Sequence, residues 1–379
     1  MKLYEFEGIE LFRREGIPVL DYALAASPKE ARQKAQDIGF PVILKAQVLA
    51  GGRYLAGGVQ TAQSLDDVEK ATRHILGLSI GGLPVQQVMV APSVETAQQF
   101  YLGITVDDYH GTPVAILSAE GGVSIEGVSR AHPELVVSRH IPAIKGLLPD
   151  AQQMAREVGL RGEELVRVAT ILRTLYAVFR KYDALIAEMN PLVRTAQGTY
   201  LALDAKVEID DSSLYRHHAL NLSMEDRTTN PLERKGREIG VTYVELDGDI
   251  AIIASGAGLG MASMDIISQN MRPANFLETG GAITADLLYK VMDLVLQKEG
   301  IKALFINVYG GINPIHEGAK GVVQYMQEHG VTIPVVAKAL GNHQEETWEI
   351  FKKQGVHVVT DVSTEKGVEQ LARLLEGGR

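Results

Sequence analysis

The stretch Ile250-Ala251-Ile252-Ile253-Ala254-Ser255-Gly256-Ala257-Gly258-Leu259-Gly260-Met261 decides the fold of the second half of the chain. Five apolar residues read as a strand buried on both faces. A glycine turn follows, and a helical pattern opens directly behind it. The same unit recurs downstream. Strands are predicted over Ala274 to Leu277, Ala303 to Val308, Val335 to Ala339 and Val356 to Val359, with helical patterns between them. Five such units predict a doubly wound parallel sheet with helices on both faces.

Open parallel sheets bind ligands beyond the carboxyl ends of their strands. Three glycine-bearing segments fall there: Ser255 to Met261, Glu278-Thr279-Gly280-Gly281 and Tyr309-Gly310-Gly311-Ile312-Asn313-Pro314-Ile315-His316. The first has the form of an anion-binding helix N-terminus. Dinucleotide binding is disfavoured, because no acidic residue stands in the expected place at the next strand end, where Asn275 and Glu278 are the nearest polar residues. A phosphate or a carboxylate fits better. The plain alternative is that all three are turns the fold requires.

The first half is patterned differently. Ser27-Pro28-Lys29-Glu30 reads as an N-cap, a proline at the first helical position and an acid at the third, with the helix ending near Gly39. Pro41 to Ala46 reads as a buried strand, and Lys45 inside it must be paired or reach a ligand. The loop Gly51 to Gly58 follows, where glycines allow close approach to phosphates and Arg53 can neutralise them. Helices are expected over Leu65 to Leu76 and Gly162 to Lys181, and strands over Gln87 to Val90, Phe100 to Val106 and Pro113 to Leu117. Two further strands, Ala184 to Glu188 and Thr199 to Asp204, are expected as a hairpin-like pair around Gly198. Glu188-Met189-Asn190-Pro191 ends one and Asp204-Ala205-Lys206 the other, so Asn190 and Asp204 are oxygen ligands suited to a magnesium ion beside phosphates. Two polar strand ends in solvent are the competing reading. Asp210 to about Gly240 reads as a polar linker.

The bulk numbers set limits. The chain has 379 residues, 46% hydrophobic and 22% charged, which is ordinary for two or three globular domains. A net charge of −10 argues against a nucleic-acid partner. The absence of cysteine excludes disulfides, thiolate metal sites and a cysteine nucleophile. No apolar run reaches spanning length and no signal-peptide core follows Met1, so the expectation is a cytoplasmic protein without membrane contact. None of the ten histidines shows a metal-ligand spacing, and His217-His218 reads as a surface pair.

In order along the chain, these pieces resemble the β subunit of succinyl-CoA synthetase. The resemblance rests on Lys45 with Gly51-Gly52-Arg53, Gly57-Gly58, Tyr101-Leu102-Gly103, Glu120-Gly121-Gly122-Val123, Glu188-Met189-Asn190-Pro191-Leu192, Leu203-Asp204-Ala205-Lys206, Asp247-Gly248, Gly256-Ala257-Gly258-Leu259, Pro273-Ala274-Asn275-Phe276-Leu277 and Gly310-Gly311-Ile312. It implies an α/β and α+β protein: an N-terminal ATP-grasp domain over residues 1–235, then a flavodoxin-like doubly wound parallel-sheet CoA-ligase domain over 236–379. It implies that Lys45, Gly52, Arg53, Tyr54, Ala91, Val94 and Gln99 hold ATP or GTP, that Asn190 and Asp204 hold Mg2+, and that Glu188 is catalytic. Ser255, Gly311, Ile312 and Asn313 fall where an organic acid is read, with Asn313 and His316 as replacement contacts.

The implied reaction is NDP-forming acid–CoA ligation through an acyl phosphate and a phosphohistidine. That histidine and most of the CoA site would belong to an α subunit, in an αβ or α2β2 assembly. The chain departs from the family pattern at Tyr54 and Leu55 (usually Gly and Lys), at Gln99 (usually Glu), at Ser255 (usually Asn), near Pro314 (usually Arg) and at Glu278-Thr279, where the family has Asp-Val. The resemblance makes succinate the default acid; the departures at Ser255 and Pro314 point to a related one such as malate, citrate or a sulfonated acid, and those at Tyr54, Leu55 and Gln99 to a catalytically altered nucleotide-binding paralogue. An ATP-grasp ligase joining a carboxylate to an amine is the remaining alternative, and the second domain speaks against it.

Overall fold

The computed structural model describes residues 1–142, 150–223, 227–228 and 230–377. Two compact units divide between Leu222 and Ser223. Residue 235, the expected boundary, lies inside the helix Pro231–Glu238.

Among the described residues the first unit holds two larger antiparallel sheets and a two-stranded one, Ser79–Ile80 with Leu83–Pro84. One has four strands in the order Ala23–Ala25, Gln87–Pro92, Val42–Gln47, Val59–Ala62. The helices Pro28–Ile38 and Leu65–Leu76 form as their caps predict: Ser27 accepts from the Glu30 N–H, and Ser64 from the Asp67 N–H. Their apolar stripes, including Ala31, Ala35, Val68 and Ile75, bury into one core with Val42, Leu44 and Val90. The other sheet runs Tyr200–Ala202, Ala184–Thr195, Thr96–Asp107, Thr112–Ser118, Val136–His140, and Lys206–Ile209 also pairs with Ala184–Thr195. The helix Gly162–Lys181 lies on it, burying Leu165, Leu172, Leu175 and Phe179. Each such side chain contributes roughly 1.5–3 kcal/mol by burial.

Several expectations need correction. The strand predicted to end at Glu188 runs on to Thr195. Pro191 has no N–H to donate, and the pairing with Thr96–Asp107 shifts register between Met189 and Leu192 instead of stopping. The strand expected through Asp204 stops at Ala202, and pairing resumes at Lys206. The presumed linker contains helical turns at Asp211–Arg216 and His218–Leu220 and the helix Pro231–Glu238; residues 224–226 and 229 lie outside the described residues. His217 is not a surface residue: its side chain is largely buried and pairs with Asp183 at 2.8 Å.

The second unit is the expected doubly wound sheet. Its strands run Thr242–Glu245, Asn275–Glu278, Ile250–Ala254, Ala303–Gly310, Val335–Gly341, His357–Val359. All pairs are parallel except the first, an antiparallel edge strand the sequence reading missed. Helices Ala285–Leu296 and Ile315–His329 cover one face, sharing a core with Val291, Met292, Val322 and Met326. Ala257–Ser268 and Thr364–Gly377 meet each other, and their Ile267 and Leu371 share a separate core with Phe305.

Candidate functional site

The first unit brings its polar residues together at the break between Tyr200–Ala202 and Lys206–Ile209. Leu192 pairs with Ala202 and Glu188 with Lys206. The two pairings share one register, so Asn190 stands opposite Asp204 in the gap between them. The gap matters because it frees Asp204 from ladder pairing while its neighbours hold it in place: Leu203 N–H donates to the Pro191 carbonyl at 3.0 Å.

A buried ion network meets Asp204 from the other sheet. Glu5, in the helix Glu5–Arg14, has a carboxylate 1% exposed. It accepts from Lys45 Nζ at 2.8 Å, from Gln47 Nε2 at 3.3 Å and from an Arg53 Nη. Arg53 Nη2 also donates to both Asp204 oxygens, at 3.1 and 2.8 Å, and Lys45 donates to the Leu203 carbonyl. Two acids thus share two cations. Burial acts to raise the Glu5 carboxyl, but Lys45 and Arg53 outweigh it and bring it down to about 2. Asp204 moves the other way: burial and then the Glu5 charge push its carboxyl above the ordinary range, against the pull of Arg53 and Lys45. The stabilisation is divided unequally because like charges near one another cannot both ionise freely.

Asn190 is held by the loop Glu120-Gly121-Gly122-Val123. Its Oδ1 accepts from the Gly122 N–H at 2.7 Å, and its Nδ2 donates to the Val123 carbonyl at 3.0 Å. Gly122 has φ +75, and a Cβ there would overlap Gln99 Oε1; a Cβ at Gly121 would overlap the Phe100 carbonyl. The glycines let this loop lie directly on the strand that carries Gln99. On the same strand, Gly103 pairs with Glu188, and a Cβ at Gly103 would stand 2.6 Å from Tyr101 Oη. The Tyr101 ring therefore lies across Gly103 toward Glu188. Burial, and then the Glu188 charge, raise the Tyr101 hydroxyl. The Glu188 carboxyl is itself raised, chiefly by burial; Lys206, with Nζ 3.5 Å away, opposes this, and Asp204 and Glu126 add to it.

The donor set suits a hard cation: Asn190 brings an amide oxygen and Asp204 a carboxylate, on neighbouring segments, and both Asp204 oxygens are occupied by Arg53. Ala91 is buried in the strand paired with Val42–Gln47, and Val94 lies between that strand and Thr96–Asp107. Tyr54 and Leu55 are solvent-exposed and take no part in the Glu5–Arg53–Asp204 network. Glu5 escaped sequence reading; its only signal was that Lys45 needed a partner.

In the second unit the three glycine loops do share one sheet edge. The hydroxyl of Ser255 is engaged with the next strand, accepting from the Tyr309 N–H at 2.9 Å and donating to the Tyr309 carbonyl at 3.3 Å. Gly311 and Ile312 are exposed and Asn313 half-buried. Gly281 and Asn313 are close, the amide nitrogen lying 3.5 Å from where a Gly281 Cβ would be. Below this edge the buried Lys338 donates to Asn307 Oδ1 at 3.2 Å, while Asn307 Nδ2 donates to Ser263 at 2.9 Å. No helix among the described residues is long and apolar enough to cross a membrane.

Comparison with known proteins agrees with both halves. Residues 2–194 match the family model of an ATP-grasp domain, and residues 253–371 that of a CoA-ligase. The β subunit of the GDP-forming succinate–CoA ligase of Thermus thermophilus is 38% identical over 371 residues, covering 97% of this chain and 98% of that one. That of the ADP-forming enzyme of Rubrobacter xylanophilus is 38% identical over 348 residues, 91% of each chain. The solved ATP citrate lyase of Methanothrix soehngenii, in complex with citrate and coenzyme A, shares the fold: TM-score 0.76 at 17% identity, over 98% of this chain and 99% of that one. With both family models matched in order and relatives aligned over nearly its whole length, the chain belongs to the family of succinate–CoA ligase β subunits, an ATP-grasp domain followed by a CoA-ligase domain.

Proposed function

We propose that this chain is the nucleotide-binding subunit of an NDP-forming acid–CoA ligase, with succinate as the leading acid. The observation that carries the reading is the Asn190–Asp204 pair, set opposite one another beside Lys45 and Arg53. Asn190 and Asp204 would hold magnesium, which supplies charge neutralisation and alignment of phosphate oxygens. Lys45 and Arg53 lie within reach of the same place and neutralise the nucleotide phosphates. Glu188, raised by burial, is placed to accept a proton from an imidazole of a partner chain as that ring is phosphorylated. The partner supplies the phosphorylated histidine and most of the CoA site, and the loops at Ser255, Gly311, Ile312 and Asn313 serve the acid step.

The test is reconstitution with an α-type chain. Multiple-turnover NDP release, beyond the one equivalent that loading the histidine gives, should require CoA and an acid together, in a screen with ATP and GTP crossed against succinate, malate, citrate and sulfonated acids. Multiple turnover that needs no CoA, or none with any acid, would refute the reading. Isolated chain that ligates an amine would favour an amine ligase instead.

A further inference from the structure

We propose that His316, His343 and Glu346 form a binding site for a borderline divalent transition metal, with zinc as the reference ion. The ligand atoms of the three side chains all lie within 4.8 Å of one another. His343 Nδ1 is 3.3 Å from one Glu346 oxygen, His316 Nε2 is 4.0 Å from the other, and the two imidazole centroids are 4.4 Å apart. Ligands about 2.0–2.1 Å from a tetrahedral zinc are about 3.3 Å apart, so closure onto an ion needs only small side-chain movements. Two imidazoles with one carboxylate select zinc and its transition-metal neighbours over magnesium or calcium.

The backbone holds the cluster together. His316 is the second residue of the helix Ile315–His329, and His343 directly precedes the helix Gln344–Lys353, of which Glu346 is the third residue. The loops before these helices are tied: Asn342 N–H donates to the Gly310 carbonyl at 2.7 Å, and Asn342 Nδ2 to the Ile312 carbonyl at 3.0 Å. The surroundings favour a cation. Glu317 approaches His316 Nε2 at 3.0 Å, although Lys320 Nζ holds the same oxygen at 2.6 Å, and Glu345 is adjacent to Glu346. His343 and Glu346 are about half exposed, which leaves an entry path.

One feature sets the affinity. His316 Nδ1 is buried without a hydrogen-bond partner, whereas metal-bound imidazoles ordinarily donate from the second nitrogen. Missing that support lowers affinity roughly 10–100-fold, so a micromolar site is expected and not a nanomolar one. The other histidine cluster, Asp107 with His110 and His140, is a poorer candidate. Its aspartate caps the Tyr109 and His110 N–H groups, and His140 Nδ1 is engaged by Thr112.

The experiment is calorimetric titration of the chelator-stripped full chain with Zn2+ alone, and with Co2+ to read coordination from its absorption bands. His343→Asn removes a ligand while tolerating the positive φ of 60 at that position. Glu346→Gln and the control His110→Ala complete the set. One equivalent of zinc should bind, should weaken at least tenfold in His343→Asn and Glu346→Gln, and should survive in His110→Ala. The assignment falls if no zinc binds, or if all of it survives in His343→Asn.

Discussion

Replacing Glu5 by Gln tests the network at the centre of the first unit. The side chain is nearly isosteric, so packing is kept and only the charge goes. Lys45 and Arg53, with side chains 12% and 14% exposed, would then share a site lacking its most buried anion. Breaking a buried pair by removing one partner costs about 3–5 kcal/mol. Arg53 keeps Asp204 and Lys45 keeps the Leu203 carbonyl, so the lower end is expected. The depressed Glu5 carboxyl points the same way, since Lys45 and Arg53 outweigh its burial. Because the folded value is depressed, this stability is present above about pH 4.5 and is lost as pH falls toward 2. The variant should therefore be destabilised by about 3 kcal/mol at pH 7 and be less acid-sensitive between pH 4.5 and 2. The single tryptophan, Trp348, lies in the second unit, so its fluorescence serves as the internal control. Hydrogen exchange of the Val42–Gln47 amides reports the first unit. Saturating Mg–nucleotide should restore more protection in the variant than in the parent, since phosphate charge replaces the missing carboxylate. Protection within about 1 kcal/mol of the parent, or an equal nucleotide increment in both, would refute the reasoning.

Three other outcomes are expected. Asp204→Asn should lower phosphorylation of the partner chain by at least about 100-fold with unchanged hydrogen exchange in the helix Gly162–Lys181, read from radiolabel on the partner's histidine. Gly103→Ala should displace the Tyr101 ring and cost about 1–3 kcal/mol, measured by the same exchange method, because the added methyl would stand 2.6 Å from Tyr101 Oη. Lys206→Met should raise the Glu188 carboxyl further, since Lys206 is the group that lowers it; the acidic limb of the pH–rate profile should move to higher pH, and a shift to lower pH would contradict the assignment.

Much of the fold was legible because its signals are local. The Ser27-Pro28-Lys29-Glu30 cap and the Gly39 stop delimit one helix, and the apolar periodicity from Gly162 to Lys181 delimits another without help from tertiary contacts. The parallel sheet followed from repeated apolar runs. The antiparallel edge strand Thr242–Glu245 did not, because it alternates Thr, Tyr, Val and Glu inside a polar stretch and is made a strand only by pairing with Asn275–Glu278. The site divided in the same way. Asn190, Asp204, Lys45 and Arg53 could be read from residue type and local pattern. Glu5 could not, because a glutamate in the first turn of a helix has an ordinary local role, and its partners lie 40 and 48 positions away. The histidine cluster was missed for the same reason: the starts of two helices supply it, and only the sheet brings them together.

On the proposed role of Asp204 as a magnesium ligand, its engagement by Arg53 has a consequence for how the metal enters. Both Asp204 oxygens already accept from the guanidinium, and burial, then the Glu5 charge, raise its carboxyl. Free Mg2+ would have to displace Arg53 and leave a largely buried cation facing another, with only Glu5 to compensate. A Mg–nucleotide complex carries its own anion: its phosphates receive Arg53 as the carboxylate is released, so one charge pair is exchanged for another. Metal and nucleotide should therefore bind with strong positive coupling. A coupling of 2 kcal/mol corresponds to about a 30-fold change in affinity. Calorimetry should find Mg2+ alone binding in the millimolar range and Mg–ADP at least about tenfold tighter than ADP with chelator. In Arg53→Lys, whose single ammonium cannot span Glu5 and both Asp204 oxygens, free Mg2+ should bind more tightly and the coupling should shrink. Equal Mg2+ affinity in parent and variant would mean that Arg53 does not compete for Asp204 at all.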